Sequence, residues 1–240
     1  MRITFGITWA AALVGLANSV AQSLAFAKPA ENARAAAAAY YDSETGFTFS
    51  EYKVAYTLTS NVVVRIAAPS TATSGSAYPV VLQVVVPNGV GWGGIAWAGN
   101  MIKNPLTVAW ANGNAAVLSS RWATSHSTPT MYTGATYEKL TTGNRVNGTH
   151  WQFTAVCNGC TSYAGSSGTI IVNPKGNNRL AFAFSASKPS SPSSNTSSIP
   201  VHDSPVYWNH DFSSGANANF ADLVTRNGGH NNEFGNGTSL

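Results

Sequence analysis

The sequence predicts an all-β domain, a sandwich or barrel of short antiparallel strands, on three observations. Short apolar runs rich in β-branched and aromatic residues recur from Tyr40 onward, at 62–67, 80–86, 106–110, 115–118, 151–156, 169–172 and 180–184. Asn-Gly, Pro-Asn-Gly and Gly-Asn signals separate these runs, and such pairs mark turns. No stretch sustains a helical period. Seven or more short strands at this spacing suit a sandwich or a barrel.

In chain order, residues 1–27 read as a secretory signal. Arg2 supplies the basic start, 7–16 is a short apolar run, and Ala25-Phe26-Ala27 is an A-x-A cleavage site, with Ser19-Val20-Ala21 as a second. Asn18, Ser19, Gln22 and Ser23 interrupt the run, which a membrane anchor of about 18 apolar residues does not tolerate. The expectation is a secreted, extracellular protein with no membrane span. Segment 28–39 (KPAENARAAAAA) is expected to be a poorly ordered tail or short helix, 40–225 the domain, and 226–240 a flexible tail.

Aromatic residues make up 11% of the chain and charged residues only 9%, so solubility rests on hydroxyls, amides and glycans. Signal removal takes Arg2 away and leaves 12 basic and 9 acidic side chains. The surplus is dispersed, without the Lys/Arg cluster that nucleic-acid binding calls for. The run Gly89-Val90-Gly91-Trp92-Gly93-Gly94 matches G-x-G-x-x-G. A dinucleotide site needs that turn to open a helix and an acidic residue about 20 positions on. Here Ile95-Ala96-Trp97-Ala98 follows, and no Asp or Glu lies between Glu51 and Glu138. A glycine-rich hairpin is expected instead.

Cys157 and Cys160 are the only cysteines. No second ligand pair makes a zinc site of them, no βαβ context makes a thioredoxin site, and Thr161 stands where covalent c-type haem attachment needs His. A structural disulfide remains. N-x-S/T sequons at Asn147, Asn195 and Asn236 mark glycosylated surface loops. Segment 185–200 (SASKPSSPSSNTSSIP) has linker composition, but the 40 residues after it are too few for most independent domains. It is expected to be a long loop returning to the sandwich. Beyond the signal stand two methionines, Met101 and Met131, and five histidines at 126, 150, 202, 210 and 230. No acidic pair or G-x-S-x-G points to a hydrolase.

The blocks YYDSETGFTFS (40–50), VLQVVVPNGVGWGGIAWAGNMIKNPLTVAWANGN (81–114), SSRWATSHSTPTMYTGATY (119–137), NGTHWQFTAVCNGCT (147–161) and RLAFAFS (179–185) stand in fixed order, and together they resemble the cytochrome domain of fungal cellobiose dehydrogenases. The similarity covers nearly all of 40–222. It implies an immunoglobulin-like sandwich of two antiparallel sheets, related to DOMON domains, that holds a non-covalent haem b between a Met and a His. Met101, in the turn after the GW…A segment, matches the family's Met. His202 matches its His, because Phe212, Ser213, Asn219 and Phe220 follow in the family's register; His210 fails that register, and His150 matches a position that is not a ligand. Three departures stand out: Asn100 follows Gly99, His126 replaces a Tyr near the haem edge, and this domain is basic where the family's is acidic.

With both axial positions filled, such a haem passes single electrons rather than activating oxygen. The resemblance implies a stand-alone, monomeric electron-transfer protein rather than a self-contained enzyme. Its donor would be a flavin dehydrogenase or small reductant, and its acceptor a copper polysaccharide monooxygenase in lignocellulose breakdown. Two alternatives stand beside it. One is ferric or quinone reduction at the haem edge. The other is a saccharide-binding module whose Trp92, Trp97, Trp110, Trp122, Trp151 and Trp208 stack on sugar rings.

Overall fold

Strands whose side chains alternate between a core and an outer face are the dominant element of the described residues. The computed structural model describes residues 36–165 and 168–230. Two largely antiparallel sheets pack as an immunoglobulin-like sandwich. The larger has β1 (Ala38–Tyr41), β2 (Thr48–Ala55), β3 (Asn61–Pro69), β4 (Val80–Pro87), β11 (His150–Asn158) and β10 (Arg145–Val146) in spatial order. β9 (Thr136–Lys139) also pairs with β11, and β16 (Ala216–Asn217) lies parallel to β3. The smaller runs β15 (Val206–Asp211), β14 (Asn177–Ser185), β5 (Trp92–Ala96), β6 (Leu106–Asn112), β7 (Ala115–Trp122) and β8 (Thr130–Met131). β12 (Ser162–Gly165) and β13 (Gly168–Ile171) pair only with each other, so the run at 169–172 belongs to neither main sheet.

Period 2 sets what each sheet buries. Val80, Leu82, Val84 and Val86 of β4 face Ile95, Leu180, Phe182 and Trp208 across the sandwich. Full burial of such a side chain is worth about 1.5–3 kcal/mol. The outer face of the larger sheet, with Phe47, Phe49, Val81 and Val156, is covered by Phe220, Leu223 and Val224 of helix α1 (Phe220–Arg226). That helix was not expected. Seven residues are too few to show periodicity and too few to be stable in water, so packing on the sheet makes it.

Three expectations need correcting. The glycine run at 89–94 is not a hairpin, because β4 and β5 lie in different sheets and the turn carries the chain from one to the other. Its glycines serve close approach: a Cβ on Gly91 would sit 2.4 Å from the Ala186 carbonyl oxygen. Pairing begins at Ala38, so the last residues of segment 28–39 are strand. At the other end Asn227 is buried and its side chain donates to the Thr45 and Leu223 carbonyls, so packing continues past residue 225. The expected signal at 1–27 and the sequon Asn236 lie outside the described residues; Asn147 and Asn195 are exposed.

Cys157, at the end of β11, is disulfide-bonded to Cys160 with Cα atoms 6.0 Å apart, and both are fully buried. Gly159 makes the turn between them at φ +87°. So short a ring restricts the unfolded chain little. Replacing both cysteines with alanine is expected to cost about 2 kcal/mol, read as a lower urea midpoint at unchanged slope. No change in midpoint would remove the stiffening role.

Candidate functional site

The outer face of the smaller sheet is hollowed because its central strands carry small residues there. In β14 the order Leu180, Ala181, Phe182, Ala183 sends the large side chains to the core and the alanines outward. Ala181 pairs with Ala96 and Ala183 with Gly94, while the next strand places Leu106 opposite Ala96 and Val108 opposite Gly94. Gly94, Ala96, Ala181 and Ala183 thus floor a cavity of about 390 Å³, with Leu106, Val108, Ile199 and Trp92 among its walls. That volume suits a small-molecule or cofactor site.

Three loops rim the cavity, and each brings one of the side chains singled out in the sequence. The loop after β5 brings Met101, the loop after β7 brings His126, and the long loop after β14 brings His202. Met101 is half-buried in a turn that Gly99 opens at φ +69°. The Asn100 carboxamide oxygen accepts from the Ile102 N–H (3.2 Å), so the residue that departs from the family builds this turn. Buried Asn104 donates to the Asn100 and Ile102 carbonyls and accepts from the Tyr163 hydroxyl, tying the turn to the ribbon. His126 is exposed at the rim.

His202 follows the Ser/Pro segment, which returns to the sandwich as expected. Trp110 Nε1–H donates to the Pro192 carbonyl (2.7 Å), the Ser119 hydroxyl to the Asn195 carbonyl (2.5 Å), and the Asp203 N–H to the Phe184 carbonyl (2.8 Å). The His202 ring lies edge-on to Trp92, centroids 6.4 Å apart. Its Nδ1 is 2.5 Å from the Asp203 carbonyl oxygen, a contact that places the proton on Nδ1 and leaves the Nε2 lone pair free.

His210 is differently placed. It is fully buried on β15, accepting at Nδ1 from Trp208 Nε1–H (3.1 Å) and donating from Nε2 to the Ser50 carbonyl (3.0 Å). Both ring nitrogens are engaged, and burial pushes its pKa down to about 4. His150 contacts the Thr149 hydroxyl, and His230 pairs with Glu138. Met131 is exposed on β8, outside the cavity lining. Of the six tryptophans weighed as a sugar platform, all but Trp122 are buried, and Trp122 stacks on Tyr132. Apart from Trp92, the cavity walls were not singled out from the sequence, nor was Arg121, which braces two of the rim loops. Two signals were available: alanine at both outward positions of LAFAF (180–184), and Arg121 as the only Asp, Glu, Lys or Arg between Lys103 and Glu138.

Chemically, the cavity combines an apolar interior with one thioether and one imidazole carrying a free lone pair. Trp92 adds an indole N–H that is buried without a partner among the described residues, a donor that an acceptor on a bound group would satisfy. Among these residues no three His, Cys, Asp or Glu cluster as metal ligands. A metal held by a Met and a His needs its remaining bonds from its own macrocycle, and a flat apolar haem fits these walls.

A family model described as the cytochrome domain of cellobiose dehydrogenase matches residues 40–222. The chain is 30% identical over 207 residues to the pyrroloquinoline quinone-dependent pyranose dehydrogenase of Coprinopsis cinerea, a match covering 85% of this chain but only 26% of that protein's length. The cytochrome b domain of pyranose dehydrogenase from C. cinerea superposes with a TM-score of 0.69 at 25% identity, over 81% of this chain and 98% of that one. The cytochrome domain of Myriococcum thermophilum cellobiose dehydrogenase shares the fold, with a TM-score of 0.71 at 21% identity over 80% and 96%. An apolar cavity flanked by a thioether and an imidazole, on a sandwich matched from end to end, places the chain in the cellobiose dehydrogenase cytochrome-domain family, whose members bind haem b and transfer electrons.

Proposed function

We propose that this protein is a secreted b-type cytochrome that holds one haem in the outer-face cavity, with Met101 and His202 as the axial ligands. The observation that carries this is the convergence of two residues about a hundred positions apart on one apolar cavity, with His202 Nδ1 already committed to the Asp203 carbonyl. A haem held there supplies one electron at a time. Met101 would hold the iron through its thioether, favouring the ferrous state and a higher potential, and His202 would hold it through Nε2. Leu106, Val108 and Ile199 give the cavity apolar walls. Exposed Val201, Tyr207 and His126 at the rim leave an edge open to donor and acceptor.

A dehydrogenase supplies the electron in this reading. The pyranose dehydrogenase relative widens that donor class from flavin to quinone enzymes. The acceptor is a copper polysaccharide monooxygenase. The open edge also admits a small ferric or quinone oxidant, and stopped-flow reoxidation by a ferric chelate against the copper enzyme separates the two. Glycans at Asn147 and Asn195 fit their exposure.

The visible spectrum of the secreted protein tests the core of the proposal. A low-spin b-type spectrum is expected. Met101→His is expected to keep six-coordination and lower the potential, because a second imidazole replaces the thioether that favours ferrous iron. A potential unchanged in Met101→His would remove Met101 from the iron.

A further inference from the structure

Arg121 is only 4% exposed, and among the described residues no carboxylate pairs with it. Its guanidinium is satisfied by neutral oxygens instead. Nε–H donates to the Ser119 hydroxyl (2.6 Å) and Nη1 to the Pro129 carbonyl (3.3 Å), while Nη2 donates to the Asn195 (3.0 Å) and Ser197 (2.6 Å) carbonyls. Burying an unpaired cation is costly, and an apolar residue of similar volume would usually be as stable or more so. The specific gain lies in where those oxygens sit. Pro129 ends the rim segment 126–129, and Ser197 stands two residues before Ile199 and five before His202, which line the same cavity from the other loop. A single planar fork therefore grips both rims, and lysine, with one compact ammonium, does not reproduce that geometry.

We infer that Arg121 is a positioning residue that clamps the loops carrying His126 and His202 around the cavity, pre-setting the His202 imidazole before any ligand arrives. This rests on the proposed haem site but makes a separate claim about the protein without its haem. The strain of ordering a Ser/Pro-rich loop is then met by the scaffold rather than by the iron bond. That is the general route by which a pre-organised loop gains affinity.

The test compares wild type with Arg121→Met and Arg121→Lys, in two arms. On haem-free protein, hydrogen exchange in Arg121→Met is expected to rise roughly tenfold to a hundredfold across 186–202, corresponding to loss of one or two charge-assisted hydrogen bonds. Amides of β2, β3 and β4 are expected to keep wild-type rates. On the loaded protein, haem transfer to apomyoglobin is expected to quicken on the same scale, with a growing high-spin fraction in the spectrum. Arg121→Lys is expected to fall between. Exchange across 186–202 that stays at wild-type rates, or that rises equally in the core strands, would overturn the clamp. A wild type that takes up no haem would instead sink the site assignment, and the exchange arm would still decide the clamp.

Discussion

His202→Ala is expected to lose most of its haem on purification while staying folded. In the proposed site the haem would have no covalent tether, since Thr161 follows the cysteine pair where a His would be needed, and the substitution would remove one of its two protein ligands. Even removal of an outer partner of a metal ligand costs about 10–100-fold in affinity, so loss of the ligand itself should cost at least about tenfold. His202 is half-buried on its loop against Trp92, so the packing lost is confined to that rim contact. The comparison is His210→Ala. His210 is fully buried and both its nitrogens are bonded within the sandwich, so its removal lowers stability but leaves the spectrum of the folded fraction unchanged. The measurement is the ratio of haem to protein absorbance, with the reduced spectrum. A normal spectrum in His202→Ala, or haem loss confined to His210→Ala, would reverse the assignment.

The second large effect is acid sensitivity carried by His210. Burial holds its pKa at about 4, against smaller opposing effects from its bond to the Ser50 carbonyl and from the Asp211 charge. An unfolded histidine titrates near about 6.5. Above that pH neither state binds the proton and the native state has its full margin. As the pH falls from about 6.5 towards 4, only the unfolded chain takes up the proton, so stability drops by up to about 1.4 kcal/mol per unit and about 3 kcal/mol in all. Below about 4 this contribution is flat. In His210→Phe the protein should be weaker at pH 7, because the Ser50 carbonyl and Trp208 N–H lose their partner, yet the slope between 6.5 and 4 should shrink. Urea midpoints at four or five pH values measure it. Identical slopes in both proteins would remove His210 from the acid response.

How far the fold can be read from the sequence differs from element to element. Runs such as 80–86 and 180–184 declare themselves, because a strand needs only its own alternation and the turns that flank it. β15 does not: VYWNHD mixes an exposed Tyr207 and Asn209 with buried Trp208 and His210, and its polar look hides an edge strand that sends two side chains into the core. Buried His210 reads as polar until Ser50 and Trp208 are seen to satisfy it. The hairpin expected at 89–94 failed for a related reason. Turn chemistry tells where a chain reverses, not which sheet it rejoins, and the approach of Gly91 to Ala186 is a contact between distant segments.

The sequence by itself determined the strand-rich class, the cysteine pair, the exposed sequons at Asn147 and Asn195 and, through its family resemblance, Met101 and His202 as the residues to watch. All of these are local in the chain or carried by short blocks in fixed order. Only the tertiary structure decided that these two side chains share a cavity, that alanines and glycine floor it, and that Arg121 hydrogen-bonds two of its rim loops. The physical reason is range. Alternation and turn preference act over a few residues, whereas the cavity is made where β5, β6 and β14 meet in register and loops a hundred residues apart fold over them.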